Sequence, residues 1–168
     1  MTLSMYQASV PVFTRMLNAL SAILEKAETN AAERRIDQTV LVGYRLAPDM
    51  FPLSRQVQIA TDHAKGCVAR LSGAEPPKYS DDEATLGELR ERITKTLAFV
   101  QSKQPADVDG SEEREITLSI GGQAMHFQGQ DYLLGFVLPN FYFHVTAAYA
   151  ILRHCGVPIG KRDFMGMS

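Results

Sequence analysis

Residues 140–158 read NFYFHVTAAYAILRHCGVP, and the placement of this stretch decides the fold. At about 100° per residue, Leu133, Val137, Asn140, His144, Ala148, Ile151 and Cys155 fall within roughly 40° of one line. Tyr142, Thr146, Tyr149 and Arg153 point the other way. That is an amphipathic helix burying one stripe. Gly156 and Pro158 end it. His144 stands in the middle of the buried stripe, with Asn140 one turn earlier on the same line. A buried polar group without a partner costs about 1–3 kcal/mol. The pair therefore predicts a polar pocket in the core and a partner shared by both side chains. Pro139 cannot donate to the carbonyl of Gly135, and its ring crowds that carbonyl. An interruption beside Asn140 is expected, and with it a cavity wall.

Working outward, three more long helices are legible. The first spans about Ser4 to Glu28, with Phe13, Met16, Leu17, Leu20, Ile23, Leu24 and Ala27 at spacings of three and four. Pro11 lies near its start. Residues 29–35 are polar and read as a helical connection. Asp37 caps a short helix ending near Leu46, and APDMFP, 47–52, is a turn. The second long helix runs from about Pro52 to Leu71 on the stripe Leu53, Val57, Ala60, Ala64, Cys67, Val68 and Leu71. Gly73 ends it. Thr85, with Glu88 three positions on, forms a capping box for the third, which carries Leu86, Leu89, Ile93, Leu97 and Val100. Then ITLSI and QAMHF flank Gly121-Gly122, a hairpin signal. Such a hairpin must lie against the helices to be stable. The fold class expected is all-α: one domain, residues 1–168, built as a four-helix bundle with a short β-hairpin between the third and fourth long helices.

The chain has 168 residues, 45% of them hydrophobic and 21% charged, with a net charge of −2. These totals imply no basic surface, so nucleic acid is not an expected partner. Cys67 and Cys155 fall on helical apolar faces and form no disulfide framework or zinc ribbon. No run of eighteen apolar residues and no basic, apolar leader is present in the sequence. The expectation is a cytoplasmic protein with no membrane span.

His63 lies about 80° off the centre of the second helix's stripe, so it flanks the core. Ala60, Ala64 and Gly66 leave space around it. Arg45 and Asp49 bracket the turn before that helix, as a loop-holding pair or as an anion-binding group at the bundle mouth. His126 is expected to face solvent from the hairpin, and His154 to favour the helix C-terminus. Tyr142 and Phe143 fall off the core line and point to a homodimer interface or to the hairpin. No nucleophile elbow, phosphate-binding glycine loop or HExxH motif occurs.

Two blocks, YRLAPDMFPLSRQVQIATDHAKG at 44–66 and QDYLLGFVLPNFYFH at 130–144, resemble an uncharacterised bacterial branch of the DinB/YfiT-like superfamily of metal-dependent proteins. The resemblance implies an up-down-down-up bundle, often dimeric. In metal-binding members one histidine comes from the second helix and two from the fourth, at i and i+4. Those positions fall here on His63, Asn140 and His144, so one histidine is replaced by asparagine. The resemblance implies either a weakened site for a divalent metal (zinc, nickel or iron) or a small-molecule-binding protein with a degenerate one. The alternative is a metal-dependent enzyme of the thiol-transferase or isomerase type.

Overall fold

The computed structural model describes residues 3–167, apart from the side chain of Ile120. Met1, Thr2 and Ser168, which the single-domain expectation includes, lie outside the described residues. The chain is largely helical, with one small antiparallel sheet.

Helix α1 spans Met5–Arg34, and a capping box between Ser4 and Gln7 starts it. Residues 29–34, expected as a helical connection, are helical but continuous with it, because nothing there breaks the helix. Its stop comes from Arg35, a non-glycine residue at φ 54°, and from the Ile36 N–H donating to Ala31 O at 2.8 Å. No glycine marks that end in the sequence. Asp37 caps α2, Gln38–Val42, which ends four residues earlier than expected. Helix α3 covers Leu53–Leu71 and α4 covers Leu86–Gln101, the latter with the Thr85–Glu88 capping box in place. A short helix α5, Pro105–Val108, starts on a proline, which the first helical turn tolerates.

Strands β1, Glu115–Ile120, and β2, Gln123–Gln128, pair antiparallel with Ile120 opposite Gln123. Gly121 and Gly122 both have positive φ, 58° and 81°, as a two-residue turn of this hand requires. The last helical run has three parts: α6, Gly129–Asp131; a π-helical turn, Tyr132–Val137; and α7, Leu138–His154. The expected interruption at Pro139 thus takes the form of a widened turn. The Leu138 N–H reaches back five residues to the Leu133 carbonyl. The chain ends on α8, Lys161–Phe164, held to α1 by Lys26–Asp163 and by Arg15 donating to Met165 O at 3.0 Å.

Helix α1 packs chiefly on α4, and α3 packs on α7 and α4. Phe13, Leu17, Leu20 and Leu24 of α1 meet Leu53, Val57 and Val68 of α3, Leu86, Leu89 and Ile93 of α4, and Val137, Phe141 and Ile151 of the last run, all fully buried. The Phe13 and Phe141 rings meet edge-on, 5.0 Å between centroids. The run Gly129–His154 has the length and mean hydropathy, 1.2 over its best window, to cross a membrane. Its apolar stripe is instead part of this core, so it reads as a core helix.

The segment between α3 and α4 is pinned by Arg92, whose side chain is 3% exposed. It donates to Thr61 Oγ1 at 2.7 Å, Asp62 at 2.8 Å, Glu83 at 2.9 Å and the Ser80 carbonyl at 2.9 Å. Asp62 also accepts from Lys65 at 2.9 Å. A buried guanidinium is tolerable when its donors are satisfied this fully.

Where the hairpin returns to the last helical run, the backbones touch. A Cβ on Gly129 would lie 2.0 Å from the Ser111 carbonyl oxygen, whereas one on Gly135 would meet nothing within 4 Å. Gly129→Ala is expected to destabilise the protein by about 2–3 kcal/mol through overpacking, measured by urea unfolding. Gly135→Ala should be neutral or stabilising by up to about 1 kcal/mol. Equal effects of the two would refute the close approach.

Candidate functional site

His144 is 8% exposed, as the wheel requires. Its Nδ1 lies 2.7 Å from Oε1 of Gln56, a buried residue one turn into α3. Gln56 in turn donates from Nε2 to the Phe51 carbonyl at 3.0 Å. That second bond fixes the amide: the Gln56 nitrogen faces Phe51, so its oxygen faces His144. A carbonyl oxygen can only accept, so Nδ1 carries the proton. The lone pair of His144 is left on Nε2.

Asn140 does not share this partner. It is half-buried, and its Nδ2 donates to the Phe136 carbonyl at 2.7 Å, within the last helical run. The two polar side chains on one line solve their burial separately. The apolar stripe of α3 does not mark Gln56, yet the sequence carries a signal for it: Gln56, Ala60 and His63 recur at i, i+4 and i+7, one face of α3.

His63 is half-buried on that face. Its ring stands nearly parallel to that of His144, 19° between planes and 6.0 Å between centroids, and meets Phe136 edge-on at 5.7 Å. Burial, then the neighbouring His144, holds the His63 pKa down to about 4 against an attraction from Asp62. Burial, then Arg55, does the same to His144, also to about 4. At neutral pH the site therefore presents two uncharged imidazoles side by side.

A cleft of about 310 Å³ opens beside His63, lined also by Asp62, Arg70, Tyr132, Phe136 and residues 117–119 of β1. Phe136 stacks on Tyr132 at 6.1 Å and meets Phe127 at 5.3 Å, giving a continuous aromatic wall. The Tyr132 hydroxyl accepts from Arg70 Nη1 at 3.1 Å. Burial pushes the Tyr132 phenol up to about 12, so it stays protonated. The buried Cys67 thiol is likewise pushed up by desolvation and stays an unreactive thiol.

The other candidate residues lie apart from this cleft. Arg45 and Asp49 are exposed; Arg45 donates to the Pro48 carbonyl at 3.3 Å, and no ion pair joins the two among the described residues. His126 is exposed on the hairpin, 3.0 Å from the Thr117 hydroxyl, and His154 is 3.0 Å from the Tyr44 hydroxyl. Tyr142 and Phe143 are exposed on α7.

The donor set bears on a divalent metal. Two imidazoles face one another, but the third position is a carboxamide whose nitrogen is tied to the helix and whose oxygen is a poor ligand for zinc. Asp62 is engaged by Arg92 and Lys65. Among the described residues no group of three or more His, Cys, Asp or Glu side chains could hold an ion. A catalytic zinc centre uses three protein ligands, and these residues do not fit one.

Residues 5–165 match the family described as Domain of unknown function (DUF1993). A crystal structure of a DinB family member protein from Shewanella denitrificans is similar to this chain at 43% identity, with a TM-score of 0.86, over 95% of this chain and 90% of that one. No curated protein matches. A match over nearly the whole length, with a solved relative this alike, makes the chain a DinB-like protein that belongs to the DUF1993 family.

Proposed function

We propose that the protein binds a small molecule in the cleft beside His63, on a DinB-like up-down-down-up bundle whose metal position has degenerated. The observation that carries this reading is the Asn140 amide bonded to the Phe136 carbonyl at 2.7 Å. It leaves two neutral imidazoles where a third ligand would be needed. A cleft of about 310 Å³ with an aromatic wall and a few polar groups is at the small end of ligand sites. The exposed Tyr142 and Phe143 support a homodimer on that face of α7, and the two unpaired cysteines support a cytoplasmic setting. One observation favours the metal-dependent alternative: His144 has its lone pair on Nε2, with Nδ1–H held by Gln56, which is how a ligating histidine is oriented.

Metal content separates the two. Protein purified without an affinity tag or chelator is expected to carry only trace zinc, nickel or iron by elemental analysis. Asn140→His, which completes the donor set, is expected to raise the content toward one ion per chain. Near-stoichiometric metal in the unaltered protein, lost in His144→Ala, would overturn the degenerate-site reading in favour of the enzyme.

The neutral imidazoles also set a pH dependence. The unfolded chain protonates its histidines near pH 6.5, whereas His63 and His144 resist until about 4. The unfolded state binds more protons across that window, so stability is lost as pH falls through it. Between about pH 7 and pH 5 the expected loss in urea unfolding is about 1–2 kcal/mol per imidazole. A His63→Gln, His144→Gln double variant should flatten the profile; a wild-type profile flat from the start would contradict neutral burial.

A further inference from the structure

We infer that the cleft takes a monovalent organic carboxylate, its acid group held by the Arg70 guanidinium and the Tyr132 hydroxyl and its apolar body lying on His63 and Phe136. This rests on reading the cleft as a ligand site and names the chemistry of what enters it.

Arg70 forms no ion pair with any carboxylate among the described residues; its one side-chain bond is the donation to Tyr132. A guanidinium has five N–H donors, and its planar fork matches a carboxylate. The lone lining carboxylate, Asp62, has its Oδ1 occupied by Arg92 and Lys65, so it does not neutralise Arg70. The Tyr132 oxygen accepts from Arg70, which leaves its own hydrogen to donate to an anion beside the guanidinium.

The arginine is also placed in advance. A Cβ at position 66 would lie 2.6 Å from Arg70 Nη1, so the guanidinium folds back over α3 in space that Gly66 leaves open. This holds it against Tyr132 before any ligand arrives, and preorganisation of this kind lowers the cost of binding.

Charge and shape restrict the ligand further. With Asp62 paired to Arg92 and Lys65, the Arg70 guanidinium is the lining charge left for an anion, which suits a single carboxylate. The walls opposite are the edge-on pair His63 and Phe136, with Leu118 of β1. Arg70 also borders a neighbouring groove with Arg114, Glu75 and Glu115. Charges of both signs and the lack of an aromatic side chain there do not select an organic anion, so the carboxylate belongs on the Tyr132 side.

The test uses phenylacetate against its neutral isostere phenylacetamide, titrated into the full chain and followed by NMR of the His63 and Phe136 ring signals. The acid is expected to bind at least about tenfold more tightly than the amide, as a charge-assisted bidentate contact requires. Arg70→Gln should bring the acid down to the level of the amide. Gly66→Ala keeps the charge but displaces the guanidinium, and should fall between the two. Circular dichroism checks that both variants keep their helices. Equal binding of acid and amide at these rings in the wild type, or undiminished acid binding in both variants, overturns the carboxylate and leaves the ligand cleft standing. If neither probe moves the His63 or Phe136 signals, the cleft reading itself fails and this inference fails with it.

Discussion

The site rests on one hydrogen-bonded relay, from His144 Nδ1–H to Gln56 Oε1 and from Gln56 Nε2 to the Phe51 carbonyl. A buried imidazole with an unpaired N–H would cost about 1–3 kcal/mol. Gln56 removes that cost and fixes two further things. It sets how α3 and α7 lie against one another at this level, since glutamine and histidine come from different helices. It also sets the tautomer, because a glutamine oriented by a backbone carbonyl can offer His144 only an acceptor. The result is an uncharged ring with its lone pair on Nε2, stacked at 6.0 Å on the ring of His63.

The second constraint is a missing donor. Pro139 has no N–H for the Gly135 carbonyl, and the chain answers with a π-helical turn before it. The wider turn spans Tyr132 and Phe136, the two aromatic residues that wall the cleft. Residues 117–119 of the hairpin close the other side. A two-stranded sheet has little stability of its own, and this one is anchored by Ile116 and by the contact of Gly129 with Ser111. Leu118, two residues on from the buried Ile116 and so on the same face of β1, lines the cleft.

What the sequence makes legible is what depends on neighbours in the chain. The Thr85–Glu88 box, the Gly121-Gly122 turn, the helical stripes and the buried position of His144 all follow from spacings of one to four residues. The long continuation of α1 escapes this logic because its stop is a left-handed arginine, with no glycine to announce it. The site is less legible. His63 and His144 are stacked side by side, but Arg70 and Tyr132 are 62 residues apart and meet only through packing. Asn140 and His144 share a line yet not a partner, because one bonds within its own helix and the other crosses to α3. Periodicity gives the face of a helix; it does not say which long polar side chain on the opposing helix will reach across.

The asparagine at 140 and the arginine at 70 bear on one another through charge. A divalent ion held by three imidazoles would place two positive charges in the pocket, strong enough to draw an anion without help. With a carboxamide in that position and both histidines neutral, the polar pocket has no charge of its own. Attraction for an anion must then come from elsewhere on the wall, and Arg70 is the lining cation available. Its freedom from acidic partners, its bond to Tyr132 and the space left at Gly66 become parts of a single arrangement. A guanidinium also differs from a metal in what it asks of the bound group: it orients a planar acid through two parallel hydrogen bonds, but it offers no vacant coordination site at which to polarise that acid for reaction. On the proposed reading, that difference suits the cleft to holding a ligand rather than transforming one.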